Sequence, residues 1–362
     1  MKQIAIKLGP GGSYPIYIGS NLLERLSELV NINQYSSVAV VSDSNVAPLW
    51  LKQIDVPEDC NREDIVIDAG ETHKNVSSLE KIWGRLLAGG FDRKSLVINL
   101  GGGLVGDLGG FAAACYMRGI DFIQCPTTLL AQVDAAVGGK VGVNFGGAKN
   151  IVGSFAQPVA VIIDTLLLKT LPGRELRAGM AEVIKHALIA GGDYFNLVQN
   201  NIGRDILSCD LEALIEGSCK IKADIVNQDE KETGLRKVLN FGHTAGHAFE
   251  MLLVGQNNEP LLLHGEAVAL GMLVEARISN LIGLLPQHEL DVIVDLVNGA
   301  GFEITLQQQL AFSAVRRLML KDKKNERGNI RWTLLKSIGD PVYDCEVNAE
   351  SVRAGFESVG CF

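Results

Sequence analysis

Three histidines in the second half of the chain have a spacing that could bind a metal ion. His243 and His247 are four residues apart, which places both on one face of a helix, and His264 follows soon after. Glu182 and Lys185 share a face of an earlier predicted helix. Two histidines with a carboxylate and an open position are typical of catalytic Zn²⁺. Structural histidines and a solvated Glu–Lys pair remain the alternatives, and on spacing alone His247 competes with the other two histidines for the metal.

A glycine-rich segment in the first half has the features of a nucleotide-binding turn. Gly101–Asp107 reads GGGLVGD, follows an apolar strand and contains the spacing GxGxxG. Such glycines let the backbone approach a pyrophosphate at a helix N-terminus. The usual fingerprint has an acid that closes a strand about 20 residues further on, and no acid here does so, but Asp43 ends an earlier strand and could bind a ribose. A ligand-free turn remains the alternative, and Asp107 could complement the helix dipole instead of contacting a cofactor.

Residues 126–150 concentrate glycine, threonine and lysine, as expected of a cradle for a polyanion. A polar surface loop is the alternative. Cations recur beside all of these motifs, at Arg118, Lys140, Lys149, Lys185, Lys222, Arg236, Lys323 and Lys324. Because the chain has a net charge of −9, a local convergence of these cations would serve a phosphate or carboxylate substrate.

The elements that must position these residues differ between the two halves. Apolar strands at 37–42, 64–68, 95–100, 121–125 and 159–164 alternate with helices, one of them capped by Asn75, and predict a parallel sheet buried on both faces. Helical periodicity dominates later, with helices predicted at 174–190, 211–229, 244–253, 266–282, 289–300 and 306–320 and strands at 330–335 and 342–345. We therefore expect an α/β domain over 1–172 and a mainly α-helical domain over 173–362.

Composition excludes several classes of protein. The 362 residues, 47% apolar and 21% charged, are those of a folded chain of about two domains. No uncharged stretch reaches the length of a membrane span, and the acidic balance argues against non-specific nucleic-acid binding. The seven cysteines include no CxxC pair, which favours reduced thiols in the cytoplasm.

Taken in order, the motifs resemble those of the 3-dehydroquinate synthase family of sugar phosphate cyclases over nearly the whole chain. The series comprises GETHK at 70–74, GGGLVGD at 101–107, YMRG at 116–119, PTTLLAQVD at 126–134, GGK at 138–140, GAKN at 147–150, TLP at 170–172, EVIK at 182–185, LNFGHTAGH at 239–247, HGE at 264–266 and DKK at 322–324. The resemblance implies a Rossmann-like N-terminal domain, a helical C-terminal domain, an active site in the cleft and a homodimer.

The same resemblance implies a role for each matching residue. The metal ligands, for Zn²⁺ or Co²⁺, would be Glu182, His243 and His264. NAD would contact Asp43, Glu71, Lys74, Gly103, Asp107, Thr127, Thr128, Lys140, Lys149 and Thr170. Substrate binding would involve Arg118, Asp134, Lys140, Asn150 and one lysine of the pair 323–324, of which Lys324 is favoured over Lys323. Catalysis would involve Lys185, Lys222, Arg236, Asn240 and His247.

The family's reaction converts 3-deoxy-D-arabino-heptulosonate 7-phosphate to 3-dehydroquinate in the shikimate pathway. As the resemblance implies, this reaction would proceed by oxidation at C5 by NAD⁺, phosphate elimination, return of the hydride and an intramolecular aldol closure. Rival hypotheses are a sister cyclase such as 2-deoxy-scyllo-inosose or 2-epi-5-epi-valiolone synthase, a metal-dependent glycerol dehydrogenase, and a silent NAD-binding protein. The connection 248–263 is longer than usual in the family, so we expect a longer surface loop with intact ligands.

Overall fold

The computed structural model describes residues 1–8, 12–255, 260–320 and 330–362. The chain divides into two compact units: the first comprises 1–172 and 211–227, and the second comprises 173–210 and 228–362. The division into domains 1–172 and 173–362 stays a prediction, and it differs from these units in the segment 211–227.

Seven strands of the first unit form one sheet, and five of them are the strands predicted from the sequence. The strands of the described residues are β1 (Lys2–Leu8), β2 (Gly12–Gly19), β3 (Ser37–Asp43), β4 (Asn61–Ile67), β5 (Leu96–Gly101), β6 (Asp121–Pro126), β7 (Lys140–Phe145), β8 (Ala148–Phe155), β9 (Ala160–Asp164), β10 (Trp332–Ser337) and β11 (Asp340–Cys345). The sheet order is β1-β2-β9-β6-β5-β3-β4, and every neighbouring pair except β1–β2 is parallel. The predicted parallel sheet is confirmed.

Both faces of this sheet are buried, which explains why its central strands are apolar throughout. Alternate residues of β3 and β5 enter two different clusters: Val41 and Val97 lie in one, and Val40 and Ile98 in the other. Side chains of a strand alternate between the two faces of its sheet, so a strand covered on both faces needs apolar residues at every position.

Helices dominate the second unit, as predicted. The helices of the described residues are α1 (Leu26–Leu29), α2 (Ala47–Trp50), α3 (Val76–Ala88), α4 (Gly103–Cys115), α5 (Gly173–Ala190), α6 (Gly192–Asn201), α7 (Leu211–Gln228), α8 (His243–Leu252), α9 (His264–Leu281), α10 (Gln287–Gly299), α11 (Phe312–Met319) and α12 (Ala349–Glu357). Helix α7 belongs to the first unit up to residue 227. A membrane-spanning helix is not found among the described residues.

The prediction of a helix over 306–320 is wrong in its first part. Helix α11 begins only at Phe312, because the preceding residues pair with the end of the chain: the Leu306 amide donates to the Val359 carbonyl at 2.8 Å. Helices α6 and α12 were not predicted. A sequence signal existed for α12, since Asn348 caps it by accepting a hydrogen bond from the Ser351 amide at 2.8 Å.

The segment 126–150, for which the composition predicts a polyanion cradle or a polar loop, contains the turn of a β-hairpin. Strands β7 and β8 pair antiparallel, and Phe145 lies opposite Ala148 across the turn Gly146–Gly147. Both glycines have positive φ, 59° and 78°, as a two-residue hairpin turn requires. The hairpin places Lys140 at the start of one strand and Asn150 on the other.

Candidate functional site

Three helices of the second unit bring Glu182, His243 and His264 together. Each residue offers one ligand atom, and these atoms all lie within 4.8 Å of one another. The Nε2 atoms of His243 and His264 lie 3.6 and 3.9 Å from Glu182 Oε1. Glu182 is fully buried, and its Oε1 accepts no hydrogen bond from any described residue. A buried carboxylate oxygen without a donor is costly in an apolar core, so the three donors fit a divalent metal ion, which would satisfy it.

The Nδ1 atom of each histidine in this candidate metal site has a hydrogen-bond partner. His243 Nδ1 lies 3.2 Å from the Phe241 carbonyl oxygen, and His264 Nδ1 lies 3.3 Å from Oε2 of Glu250. When Nδ1 donates to these oxygens, Nε2 is left with its lone pair toward Glu182. Partners of this kind set the tautomer and the orientation of metal-binding histidines.

Glycines let the backbones of the three helices pack directly against one another around the candidate metal site. A Cβ at Gly271 of α9 would overlap the carbonyl oxygen of Gly242, directly before α8, and one at Gly246 of α8 would lie 2.9 Å from the Ala267 carbonyl oxygen of α9. A Cβ at Gly265, next to His264, would overlap the backbone of Ala178 in α5. The positions of the ligands are therefore set by helix backbones rather than by long side chains.

Other predicted residues lie around the triad. Lys185 is buried and forms an ion pair with Glu182, so this pair is not the solvated one that its helical spacing also allowed. The His247 ring centroid lies 5.3 Å from that of His243 and 5.9 Å from that of His264. His247 is thus near the triad but outside the group of three ligand atoms.

Arg236 and Asn240 lie on the 3₁₀ turn Leu235–Asn240, directly before α8. Arg236 is buried and donates to the Glu230 carbonyl, and Asn240 Nδ2 donates to Oε1 of Glu232 at 2.8 Å. Asp229 shapes the approach to this turn by accepting hydrogen bonds from the backbone amides of Gly234 and Arg236, at 2.7 and 3.0 Å.

The first unit places the glycine-rich segment at a reversal in the order of its strands. Strand β3 pairs with β4 on one side and β5 on the other, and the carboxyl ends of such strands are where open parallel sheets bind ligands. Asp43 ends β3, Gly101 ends β5, and Gly103 begins α4. The Thr127 backbone amide donates to the Gly101 carbonyl oxygen at 3.0 Å. The Thr127 side-chain hydroxyl is buried and has no hydrogen-bond partner among the described residues. A helix N-terminus beside such a hydroxyl fits a nucleotide phosphate.

A hydrogen-bond network connects four candidate residues of the first unit. Lys74 Nζ donates to Asp107 Oδ2 and to Asn150 Oδ1, both at 2.6 Å. Asn144 extends the network, because its Nδ2 donates to Glu71 Oε1 at 2.9 Å and its Oδ1 accepts from the Asn150 amide at 2.9 Å. Asn150 holds a positive φ of 49° within β8, a conformation that asparagine tolerates better than most residues.

Asp107 lies beyond the first turn of its helix, where an acid that complements the helix dipole would have to be. Helix α4 starts at Gly103 and has no acidic residue in its first turn. Stabilising the helix dipole is therefore not its main role, because that effect is confined to the first turn. Burial raises the pKa of the Asp107 carboxyl, and its contact with Lys74 offsets part of the rise.

The remaining candidates of the first unit are dispersed. Lys222 of α7 donates to the carbonyl and carboxylate oxygens of Asp134, at 2.6 Å each. The Thr170 hydroxyl accepts from Trp50 Nε1 at 2.9 Å and donates to a backbone carbonyl. Arg118 has a positive φ of 71° on the turn Tyr116–Arg118, and the structure does not bring it into the Lys74 network. The Thr128 hydroxyl accepts a hydrogen bond from the Ala131 amide at 3.1 Å. Lys140 begins β7, and Lys149 lies on β8. Lys323 and Lys324 lie outside the described residues.

Comparison with known proteins identifies the family. Residues 64–178 match the family model described as 3-dehydroquinate synthase N-terminal, and residues 179–325 match 3-dehydroquinate synthase C-terminal. A curated 3-dehydroquinate synthase from Teredinibacter turnerae is 43% identical over 354 residues, which cover 96% of each chain. The chain belongs to the 3-dehydroquinate synthase family.

Solved structures of sister enzymes share the fold of this family member. A 2-deoxy-scyllo-inosose synthase complexed with carbaglucose-6-phosphate, NAD⁺ and Co²⁺ is 26% identical, covers 99% of this chain and 100% of its own, and has a TM-score of 0.86. A 2-epi-5-epi-valiolone synthase from Streptomyces hygroscopicus subsp. jinggangensis 5008, with NAD⁺ and Zn²⁺ bound, is also 26% identical, covers 96% of both chains and has a TM-score of 0.86. The chain is therefore an enzyme with the two-part α/β and helical architecture of these cyclases.

Sequence reasoning missed two acids that hold residues of the candidate site in place, Glu250 and Glu275 of the second unit. Asn144 of the first unit lies in the segment 126–150 that the sequence singles out, but only the structure shows that it connects Glu71 with Asn150. A signal existed for Glu250, an acid three residues after His247 on a largely apolar helix. No local signal marks Glu275, since its partners lie some thirty residues away along the chain.

Proposed function

We propose that this chain converts 3-deoxy-D-arabino-heptulosonate 7-phosphate to 3-dehydroquinate and phosphate, the reaction that supplies the shikimate pathway and aromatic amino acid biosynthesis. The observation that carries the proposal is the triad of the second unit, three metal-binding groups around an unsatisfied buried carboxylate oxygen. This triad occurs in a chain that is 43% identical to a curated 3-dehydroquinate synthase.

The triad Glu182, His243 and His264 would hold Zn²⁺ or Co²⁺. A bound divalent ion lowers the pKa of a coordinated alcohol and polarises a carbonyl oxygen. The chain contributes the charge and direction of the donors: Glu182 supplies an anionic oxygen, and the contacts of His243 Nδ1 and His264 Nδ1 aim both Nε2 atoms at it. The two sister enzymes solved with Co²⁺ and Zn²⁺ support this assignment.

The edge of the sheet in the first unit would bind NAD. Bound NAD⁺ accepts a hydride from an alcohol carbon and can return it. The residues proposed to contact it share this unit: Asp43, Glu71, Lys74, Gly103, Asp107, Thr127, Thr128, Lys140, Lys149 and Thr170. The orphaned Thr127 hydroxyl and the N-terminus of α4 suit its phosphates.

The substrate carries a phosphate and a carboxylate, and the proposed binding residues are mostly cationic. Arg118, Lys140 and Lys324, with Asn150 and Asp134, would bind substrate groups. Lys185, Lys222, Arg236 and Asn240 would position and stabilise the reacting part of the molecule. His247 would relay a proton, a task that suits an imidazole near neutral pH.

The family's homodimer and a cytoplasmic location are also part of this proposal. All seven cysteines are free in the structure, which supports a reducing compartment. Light scattering of the purified chain, with and without the proposed ligands, would test the dimer.

A turnover assay tests the proposed function. Purified full chain receives Zn²⁺ or Co²⁺, a catalytic amount of NAD⁺ and the heptulosonate phosphate, and phosphate and 3-dehydroquinate are both measured. Equal amounts of the two products without net NADH are expected. Phosphate release only from another hexose or heptose phosphate would assign the chain to a sister cyclase, and NADH accumulation without phosphate would assign it to a dehydrogenase.

A further inference from the structure

A buried carboxylate on α9 holds the start of α8, the helix whose first residue is His243. Glu275 is fully buried, and its Oε2 accepts a hydrogen bond from the Gly242 amide at 2.7 Å. Its Oε1 accepts from the amides of Thr244 and Ala245 at 3.1 and 3.3 Å. These are among the amides that a helix N-terminus leaves without a partner in its own helix.

The same few residues hold the His243 ring. The Phe241 carbonyl oxygen lies 3.2 Å from Nδ1 of His243, and Gly242 between them has a left-handed φ of 81°. Glu275 therefore fixes the backbone on both sides of His243, and a shift of that backbone would move the imidazole away from Glu182 Oε1.

Glu275 also links two of the metal-binding elements. It lies on α9, which begins with His264, while its hydrogen bonds go to the start of α8. Its carboxylate thus fixes His243 in relation to His264. The glycine contact between Gly271 and Gly242 brings the two backbones close enough for this reach.

The charge of Glu275 has a second effect. A helix N-terminus carries about half a positive charge, which disfavours a divalent cation bound at the first residue of α8. An anionic group on the amides of that terminus offsets this repulsion, and burial reduces the screening by water.

We propose that Glu275 is a positioning residue that raises the affinity of the triad for its metal by fixing the start of α8 and offsetting its positive charge. The inference rests on the proposed metal-binding role of Glu182, His243 and His264. Residues that orient metal ligands in this way typically contribute about 10–100-fold to metal affinity.

The test compares Zn²⁺ affinity in full-length variants, measured by competition with a chelator. Glu275→Gln keeps the size but loses the charge and faces one backbone amide with its own NH₂ group. Glu275→Asp keeps the charge but withdraws the carboxylate by one methylene. The matched control is Glu289→Gln, because Glu289 of α10 also accepts a backbone amide, that of Ile338, and lies outside α8 and α9.

We expect the Zn²⁺ dissociation constant to rise at least about tenfold in Glu275→Gln, less in Glu275→Asp, and not in the control. The Co²⁺ absorption spectrum of Glu275→Gln should also change, which a purely structural role would not produce. A lower melting temperature with an unchanged Zn²⁺ dissociation constant, in whichever Glu275 variant folds, would overturn the inference.

A Glu182→Gln variant separates this inference from the proposed function. If Glu182→Gln abolishes Zn²⁺ binding and Glu275→Gln leaves it unchanged, only the role of Glu275 fails. If Glu182→Gln itself binds Zn²⁺ normally, the triad is not the metal site, and both proposals fail.

Discussion

The candidate residues of the two units are held in different ways. In the first unit most of them lie at strand ends, turns and a hairpin, and side chains such as Lys74, Asp107 and Asn150 hold one another through hydrogen bonds. In the second unit the triad Glu182, His243 and His264 lies on helices that meet at glycines, and backbone packing sets the positions of its members. The first arrangement spreads polar groups over an area that suits a large ligand, whereas the second fixes three ligand atoms close together, as a small ion requires.

This difference predicts that damage to one group of residues should leave the binding property of the other unchanged. Residues that do not share partners usually act independently. Substitutions in the first unit should therefore alter NAD affinity, and substitutions in the second should alter metal affinity. The following variants test that separation, beginning with the largest expected effect.

Replacing the central carboxylate of the triad should have the largest effect. We expect Glu182→Gln to weaken Zn²⁺ binding on the order of 100-fold or more, above the usual cost of losing an outer-shell partner, and to abolish turnover. The control is Glu175→Gln on the same helix, which should bind Zn²⁺ normally. NAD affinity, measured by calorimetry, should be unchanged in both variants. A metal-loaded, active Glu182→Gln enzyme would contradict the ligand assignment.

Adding one methyl group between α8 and α9 should test the glycine packing. Gly271→Ala places a Cβ against the Gly242 backbone, and we expect unfolding to become easier by about 3 kcal/mol, at the upper end of overpacking costs. Gly84→Ala in α3 is the control, because a Cβ there meets nothing within 4 Å. It should stabilise the chain by roughly 0.5–1 kcal/mol. Denaturant unfolding measures both, and equal effects of the two variants would contradict the packing account.

Removing the Lys74 ammonium group, which bridges Asp107 and Asn150, should weaken NAD binding without affecting Zn²⁺ binding. Lys74→Met leaves Asp107 and Asn150 without their shared donor, and we expect NAD affinity to fall about tenfold, since hydrogen bonds to charged groups contribute about 1.5–3 kcal/mol. Zn²⁺ affinity should stay the same. Lys81→Met, an exposed lysine on α3, is the control. A loss of Zn²⁺ affinity in Lys74→Met would break the separation between the two groups.

The smallest effect should be on the pH dependence of stability, through the carboxylate of Asp229. Although burial alone would raise it, the backbone amides of Thr233, Arg236 and Gly234 lower the pKa of Asp229 from 3.8 to about 2. A depressed pKa means that Asp229 stabilises the folded chain fully above about pH 4 and loses this contribution as the pH falls toward 2.

Asp229→Asn should therefore be less stable than the unmutated chain at neutral pH and lose less stability between about pH 4 and pH 2. Thermal unfolding of the metal-free chain across this range measures the difference. Parallel pH profiles for the two proteins would show that Asp229 makes no such contribution.

The sequence predicted the elements better than the contacts that hold the site. Apolar runs such as 37–42 and 95–100 identified the parallel strands, because a strand that is buried on both faces needs apolar residues at nearly every position. Helical spacing put His243 and His247 on one face. The backbone hydrogen bonds that hold the segment before α11 could not be predicted, because the partners of Leu306 and Phe312, which are Val359 and Phe362, lie far away along the chain.

Long-range polar partners were also beyond sequence reasoning. The spacing of Glu182 and Lys185 allowed a solvated pair, and only the fold shows both side chains buried. The anchoring roles of Asn144 and Glu275 depend on backbone amides and side chains brought close by the fold. Their residue types alone do not distinguish them from other polar residues.

The proposed function is a redox-neutral elimination on one substrate molecule, and isotope tracing distinguishes it from a net oxidation. The enzyme is given heptulosonate phosphate that carries deuterium at C5, with Zn²⁺ and an excess of unlabelled NAD⁺. Because the hydride is taken from and returned to the same carbon, we expect 3-dehydroquinate that retains the deuterium, with one phosphate released per product. Deuterium accumulating in reduced NAD, or a product without the label, would contradict it.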